Sequence, residues 1–255
     1  MASRLAMVTG ASSGIGEAFV RGLAERGYAL ILVARRRERL EALARELTST
    51  SVDLIVADLA TDDGVAEVAR RLELGGVNVF VNNAGIGHRG QVAEQPVESL
   101  RRMLRLNLET PMLLSRAALR PMLALRQGVL INVVSMSAFQ AVPYLASYAA
   151  TKAGLLSFTE GLAEEVRESG VRVQALCPGN IPTEFQEVAG TRGSRFDRTP
   201  AMSAHEVARR SLQEAFGRGR ILVIPGWRDR LAVMGQRLLP RSVPRRVAAS
   251  LMRPE

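Results

Sequence analysis

The chain is predicted to fold as α/β, a doubly wound parallel sheet of about seven strands with helices on both faces. Short β-branched and apolar runs alternate with longer segments of helical period along its 255 residues. That alternation implies crossover connections and a sheet covered on both sides. The length suits one large domain and is short for two. No internal repeat or low-complexity segment interrupts the pattern, so residues 1–255 are read as a single domain.

The first strand, Leu5 to Thr9, runs into Thr9-Gly10-Ala11-Ser12-Ser13-Gly14-Ile15-Gly16 and a helix near 14–26. Glycines there permit a tight turn and a close backbone approach to a pyrophosphate, which the free N–H groups of a helix N-terminus attract. A glycine turn alone is weak, but the TGxxxGxG spacing directly after an N-terminal strand is specific. The second strand, Ala29 to Ala34, ends in Arg35-Arg36-Arg37, and a helix follows near 36–48. An acidic residue at that strand end would bind an adenosine ribose, whereas guanidinium forks suit a 2′-phosphate, so Arg35 and Arg36 favour NADP(H) over NAD(H). Three solvated arginines opening an Arg-rich helix is the competing reading.

Val52 to Ala57, a helix near 61–73 and Val77 to Val81 continue the rhythm, and the latter strand enters Asn82-Asn83-Ala84-Gly85. Amide side chains can tie neighbouring backbone together at such a strand end, and the glycine leaves space for a ribose. A long helix is predicted over 96–126, then a strand from Val129 to Val134 leading into Ser135. Thirteen residues on, at the start of a helix near 147–169, stand Tyr148 and Lys152. Their i, i+4 spacing puts the side chains on one helix face, about 5–6 Å apart at Cβ. A nearby ammonium stabilises a phenolate, so the pair is expected to draw the tyrosine pKa down toward the range of a working proton donor or acceptor. Lys152 is also the only lysine among 34 basic residues. Arginine cannot practically release its proton and lysine can, so a chain that uses arginine elsewhere suggests that position 152 needs lysine chemistry.

Together these motifs resemble the short-chain dehydrogenase/reductase family in its shorter form, over roughly residues 3–225, and imply its Rossmann-like fold. The resemblance implies that Ser135 holds the substrate oxygen, that Tyr148 exchanges its proton, and that Lys152 binds the nicotinamide ribose. It implies that Asn107, in Leu106-Asn107-Leu108, props a water linking the lysine to solvent. Asp58, in Ala57-Asp58-Leu59, would meet the adenine, while Asn83, Ala84 and Gly85 line the ribose. In Pro178-Gly179-Asn180-Ile181-Pro182-Thr183, Ile181 and Thr183 would touch the carboxamide, with Pro178 and Gly179 in the same cofactor-binding segment. The implied activity is hydride transfer between nicotinamide and a carbonyl or secondary alcohol, in either direction. An NADP(H)-binding regulator that has lost the chemistry is the alternative, and the intact Ser135, Tyr148, Lys152 and Asn107 argue against it.

Other candidates carry less. Ser137 is read as a helper or a loop hydroxyl, and Tyr144 and Phe139 as packing residues that could wall a substrate. His88 and His205 read as surface residues and Cys177 as a small buried filler. With two separated histidines and one cysteine, no metal site is expected. A lone cysteine fits a reducing compartment, and the opening residues run at once into a strand without the pattern of a signal peptide, so a cytoplasmic location is expected. The apolar positions of the helices near 96–126 and 147–169 spread round more surface than one sheet contact covers. They include Leu113, Leu114 and Leu119, then Leu155 and Phe158, and a homodimer or homotetramer is expected to bury the remainder.

The last third differs. The formal charge of +9 sits almost entirely after position 208, where eleven arginines face Glu214, Asp229 and Glu255. The stretch 184–200, polar and containing Gly190 and Gly193, is placed as a substrate lid. Beyond a helix near 203–216 and a strand from Ile221 to Ile224, residues 227–255 form a basic extension. Trp227 to Leu239 and Val243 to Met252 alternate arginine with apolar residues in the manner of two amphipathic helices. They are read either as a cap packed on the domain or as a contact for an acidic surface. Nucleic acid is not expected, since aromatics are not interleaved with the charge.

Overall fold

The computed structural model describes residues 4–253, and Met1 to Ser3, Pro254 and Glu255 lie outside the described residues. Seven parallel strands form one sheet in the order β3-β2-β1-β4-β5-β6-β7. They are β1 (Leu5–Thr9), β2 (Ala29–Ala34), β3 (Val52–Val56), β4 (Val77–Asn82), β5 (Gly128–Val133), β6 (Val171–Leu176) and β7 (Leu222–Val223). Strand period two sends successive side chains to opposite faces. Val8, Leu30, Leu32, Val79 and Val81 therefore pack against Phe19, Leu40 and Leu212 of helices α1 (Gly14–Ala24), α2 (Arg37–Glu46) and α8 (Ala204–Phe216). Their neighbours Met7, Ile31, Val33 and Phe80 join Val68, Leu114 and Ala163 of α3 (Asp62–Glu73), α5 (Thr110–Ala124) and α6 (Ala146–Glu165) on the other face.

One predicted helix is three pieces. The segment 96–126 consists of α4 (Val97–Leu104), a π-helical turn over Arg105–Glu109, and α5. Pro111 explains the break, because it has no N–H to donate to the carbonyl of Asn107 four residues back, and its ring crowds that carbonyl. The widened turn carries Asn107, in keeping with the frequency of π-turns at functional sites.

Strand order reverses beside β1, so the C-terminal ends of β1 and β4 diverge and leave a crevice. Thr9 ties its two walls together. Its hydroxyl accepts from the N–H groups of Asn83 and Ala84 at 2.9 and 3.1 Å and donates to the Val81 carbonyl at 3.3 Å. Asn83 Nδ2 in return donates to the Thr9 carbonyl at 3.0 Å.

Beyond β6 the chain crosses the crevice. The expected lid contains one short helix, α7 (Glu184–Val188), and its far end is pinned by Asn180, whose amide donates to the carbonyls of Phe196, Asp197 and Thr199. The basic end forms α9 (Trp227–Gln236) and α10 (Ser242–Met252). Val233 of α9 is buried with Val134 and Leu155, and Ala248 and Met252 of α10 with Tyr148 and Val142. Arg89 holds the end of α10 by donating to the carbonyls of Met252 and Arg253, each at 2.8 Å. The inner faces of both helices thus cap the crevice. No helix among the described residues is long and apolar enough to cross a membrane.

Candidate active site

A cavity of about 830 Å³ occupies the crevice. Of the residues expected from the sequence to be catalytic or to bind the cofactor, all but Gly16 and Asn107 line it. Both exceptions are structural supports. A Cβ on Gly16 would collide with the Gly10 carbonyl oxygen, so only glycine lets α1 start against the turn. Gly10 itself lies in the left-handed region at φ +65°. Ser13 precedes α1 without capping it through its side chain, which leaves that helix's first N–H groups directed at the cavity.

At the adenosine end Arg36 bends back over the turn. Its guanidinium donates to the hydroxyls of Ser12 at 3.0 Å and Ser13 at 3.1 Å, and pairs with Glu184 at 2.8 Å. Arg39 also pairs with Glu184, and Arg39 and Arg36 together hold the Glu184 carboxyl below its ordinary range. Arg35 lines the cavity beside Asp58. Burial pushes the Asp58 carboxyl up, but Arg102, bonded to it at 2.6 Å, the Ala60 N–H and Arg35 hold it below its ordinary value.

At the other end stand Ser135, Tyr148 and Lys152. Ser135 follows β5 and accepts from the Ser137 N–H at 3.1 Å, while the next N–H, of Met136, donates to the Pro178 carbonyl at 3.0 Å. Tyr148 and Lys152 are buried on one face of α6, with the Lys152 Nζ 5.8 Å from the phenol ring centroid. That ammonium donates to the Val133 carbonyl at the end of β5, at 2.8 Å. Asn107, fully buried, accepts from the Ile86 N–H at 2.9 Å and donates to the Ile86 carbonyl at 2.7 Å and to Thr151 Oγ1 at 3.2 Å. It therefore fixes the backbone directly after Gly85, which in turn lies against both Asn107 and Lys152.

The electrostatics differ from the sequence expectation. Burial pushes the Tyr148 phenol up to about 12, against a smaller opposing effect of the Ser135 hydroxyl. Burial likewise brings Lys152 down to about 8. Spacing on a helix places two side chains on one face but does not show how deeply both are desolvated, and here desolvation is the largest cause of both shifts. At neutral pH the phenol keeps its proton. Cys177, also pushed up by burial to about 12, stays a neutral thiol, as a filler should.

Phe139 packs beside Val134 and Leu155, and neither it nor Tyr144 lines the cavity. Tyr144 instead holds a strained turn at φ +65° and accepts from the Gly90 N–H at 2.8 Å. His88 stays outside the cavity and His205 is exposed on α8. Among the described residues no three potential ligands gather for a metal. The sequence left unmarked Phe185, whose ring packs on that of Tyr148 at 5.5 Å, and the inner residues of α9 and α10 that roof the cavity. Only the position of Phe185, just after the Pro178–Thr183 segment, could have pointed to it.

Comparison with known proteins places this geometry in a family. The model of the short chain dehydrogenase family matches residues 4–192. An uncharacterized oxidoreductase of Staphylococcus aureus (strain USA300) is 32% identical over 185 residues, 72% of this chain and 80% of that protein. The structure of a short-chain dehydrogenase from Sphingobium yanoikuyae in complex with NADPH superposes with a TM-score of 0.83 at 31% identity, covering 92% of this chain and 94% of that one. A bulky-bulky ketone specific alcohol dehydrogenase from Comamonas testosteroni matches with a TM-score of 0.80 at 30% identity, covering 93% of each chain. The chain belongs to the short-chain dehydrogenase family and is an oxidoreductase of that family.

The lysine titration can be read directly, because labelling with lysine enriched in ¹³C at Cε gives a single resonance. It is expected to titrate near 8 rather than at the ordinary 10.5. The folded pKa is depressed, so the unfolded chain holds more protons between those values, and stability to urea should rise as pH climbs from 8 toward 9, before Cys177 and then Tyr148 titrate in the unfolded chain and oppose the gain. A resonance titrating above 10 would show that the ammonium is not desolvated.

Proposed function

We propose that the protein is an NADP(H)-preferring oxidoreductase that transfers a hydride between nicotinamide and a carbonyl or secondary alcohol, with Tyr148 exchanging the proton of the oxygen. The observation that carries this reading is one continuous cavity with the glycine turn and Arg36 at one end and Ser135, Tyr148 and Lys152 at the other. The residues fit the dinucleotide. The Gly10–Gly16 turn leaves backbone room for a pyrophosphate, the start of α1 offers unsatisfied N–H groups, and Arg36 with the Ser12 and Ser13 hydroxyls forms a cationic, hydrogen-bonding nook. NADPH bound by the Sphingobium yanoikuyae enzyme supports the choice of cofactor.

When bound, the nicotinamide supplies or accepts the hydride. Arg35 and Arg36 would hold the 2′-phosphate, Asp58 and Leu59 the adenine, Asn83, Ala84 and Gly85 the ribose, and Ile181 and Thr183 the carboxamide side. In reduction the Tyr148 phenol gives its proton to the carbonyl oxygen as the carbon receives the hydride, and the Ser135 hydroxyl steadies charge developing on that oxygen. Lys152 places a cation beneath the ribose site, and Asn107 positions the Ile86 backbone and Thr151 around it. Phe185, Leu239 and Val243 exclude water from above. These apolar walls favour an apolar carbonyl, in keeping with the bulky ketones of the Comamonas testosteroni enzyme.

Assembly belongs to the same reading. On α5, Met112, Leu113 and Leu123 are exposed beside the exposed Ala153 of α6, an apolar face that a second copy would bury across a two-fold axis.

Tyr148→Phe removes the proton donor and little bulk, so turnover of ketones with NADPH should fall at least about 10²-fold while NADPH still binds. Retained turnover would remove the assignment, and a wild-type protein that binds NADPH yet reduces no ketone in a broad panel would be a regulator instead. Replacing Arg35 and Arg36 by alanine should weaken NADPH at least about tenfold more than NADH in isothermal titration, since charge-assisted bonds to the phosphate are lost and Glu184 is left facing it. An unchanged preference would place the phosphate elsewhere. Light scattering should give a dimer or tetramer at micromolar concentration, and a stable monomer would overturn the assembly.

A further inference from the structure

Helix α9 carries three different faces. Val233 points into the core, and Asp229, Ala232, Gly235 and Gln236 line the cavity, with Arg228 between it and the outer face. The third face holds Trp227, Leu231 and Met234, with Leu238 two residues beyond the helix, at i, i+4, i+7 and i+11. That spacing makes a single stripe, and its members are 63%, 57%, 64% and 87% exposed. Four large apolar side chains in a row on the outside of a helix serve neither the core nor the cavity.

The charge around the stripe is of one sign. Arg228, Arg230 and Arg237 flank it, and Arg241, Arg245 and Arg246 follow on the exposed side of α10. Among the described residues none of the six pairs with a carboxylate. Elsewhere the surface arginines Arg21, Arg102, Arg167, Arg209 and Arg210 each meet one. The one carboxylate between Arg220 and the end of the described chain is Asp229, which faces the cavity. Arg228 also lies over the Trp227 ring at 5.2 Å, leaving indole and guanidinium side by side at the surface. A second copy of this chain seated on the stripe would oppose one row of arginines to another with no acid between them, which charge disfavours.

We infer that the α9 stripe and its arginines are a docking surface for an anionic lipid bilayer. The apolar residues enter the interfacial region and the arginines meet lipid phosphates, their stems lying along the apolar surface. Leu239, Val243 and Val247, which line the cavity, follow the stripe in the chain, so the docked face belongs to the roof of the cavity. The docking does not depend on the oxidoreductase reading and is measured without turnover.

Trp227 is the only tryptophan in the chain, so its emission reports on the stripe alone. The intact protein is mixed with vesicles of phosphatidylcholine, or of phosphatidylcholine with phosphatidylglycerol, and followed by co-sedimentation and by Trp227 emission. The expected result is binding and a blue shift with the mixed vesicles only, weakened at least about tenfold as salt rises to about 1 M, where screening acts within about 3 Å. Leu231→Ser with Met234→Ser, outside core and cavity, should abolish binding with melting temperature and NADPH binding unchanged. Arg237→Gln, Arg241→Gln, Arg245→Gln and Arg246→Gln together should weaken it and flatten its salt dependence. Three results would overturn the inference: no binding to mixed vesicles, equal binding to both kinds, or a mass in solution that drops when Leu231 and Met234 become serine, which makes the stripe an interface between copies. Capture of an acidic protein by the stripe without vesicle binding would overturn it as well.

Discussion

The desolvated ammonium of Lys152 is the constraint that orders the site around it. A cation removed from water must be offered dipoles or give up its proton, and this one is offered the Val133 carbonyl at the end of β5. That bond ties α6 to the strand end, on the side where Tyr148 lies beside Ser135, which leaves the same strand. Asn107 closes the arrangement from the other side by bonding both the N–H and the carbonyl of Ile86. The π-turn that presents it follows from Pro111, so one missing N–H in α5 shapes the floor of a cavity whose lining comes from other elements.

The parallel sheet supplies the rest without special devices. Its order reverses beside β1, the diverging strand ends expose backbone groups, and Thr9 stitches the two sides so that the glycine turn and the Asn83–Gly85 segment face one another across a fixed gap. Both faces of the sheet are already filled by helices, which leaves the C-terminal edge as the place where side chains from β1, β4, β5 and β6 can converge.

Local signals were legible in the sequence to the extent that their causes are local. β1, β2 and β6 begin and end where apolar runs meet turn residues, and the glycine turn is readable because the backbone conformation it needs is a property of a few neighbours. The break at Asn107 was missed because apolar periodicity continues through 96–126, although Pro111 stood in plain view as the cause. The upward shift of Tyr148 and the downward shift of Lys152 were not legible at all, since both come from burial in the folded chain, which for Tyr148 is contributed in part by Phe185, Ala248 and Met252 from distant segments. The anchoring of the 184–200 stretch through Asn180 to the carbonyls of Phe196, Asp197 and Thr199 is a long-range bond set that no local pattern announces.

Two consecutive residues join the ends of the cavity. Glu184 pairs with Arg36 and Arg39 at the adenosine end, and Phe185, next in the chain, packs on Tyr148 at the other. A group of negative charge arriving at Arg36 meets a guanidinium already shared with a carboxylate, so it competes with Glu184 for the same donors. Glu184 and Phe185 open α7, a helix of five residues whose Gln186 donates to Asn180 Oδ1. The polar stretch after β6 thus touches both halves of the cavity.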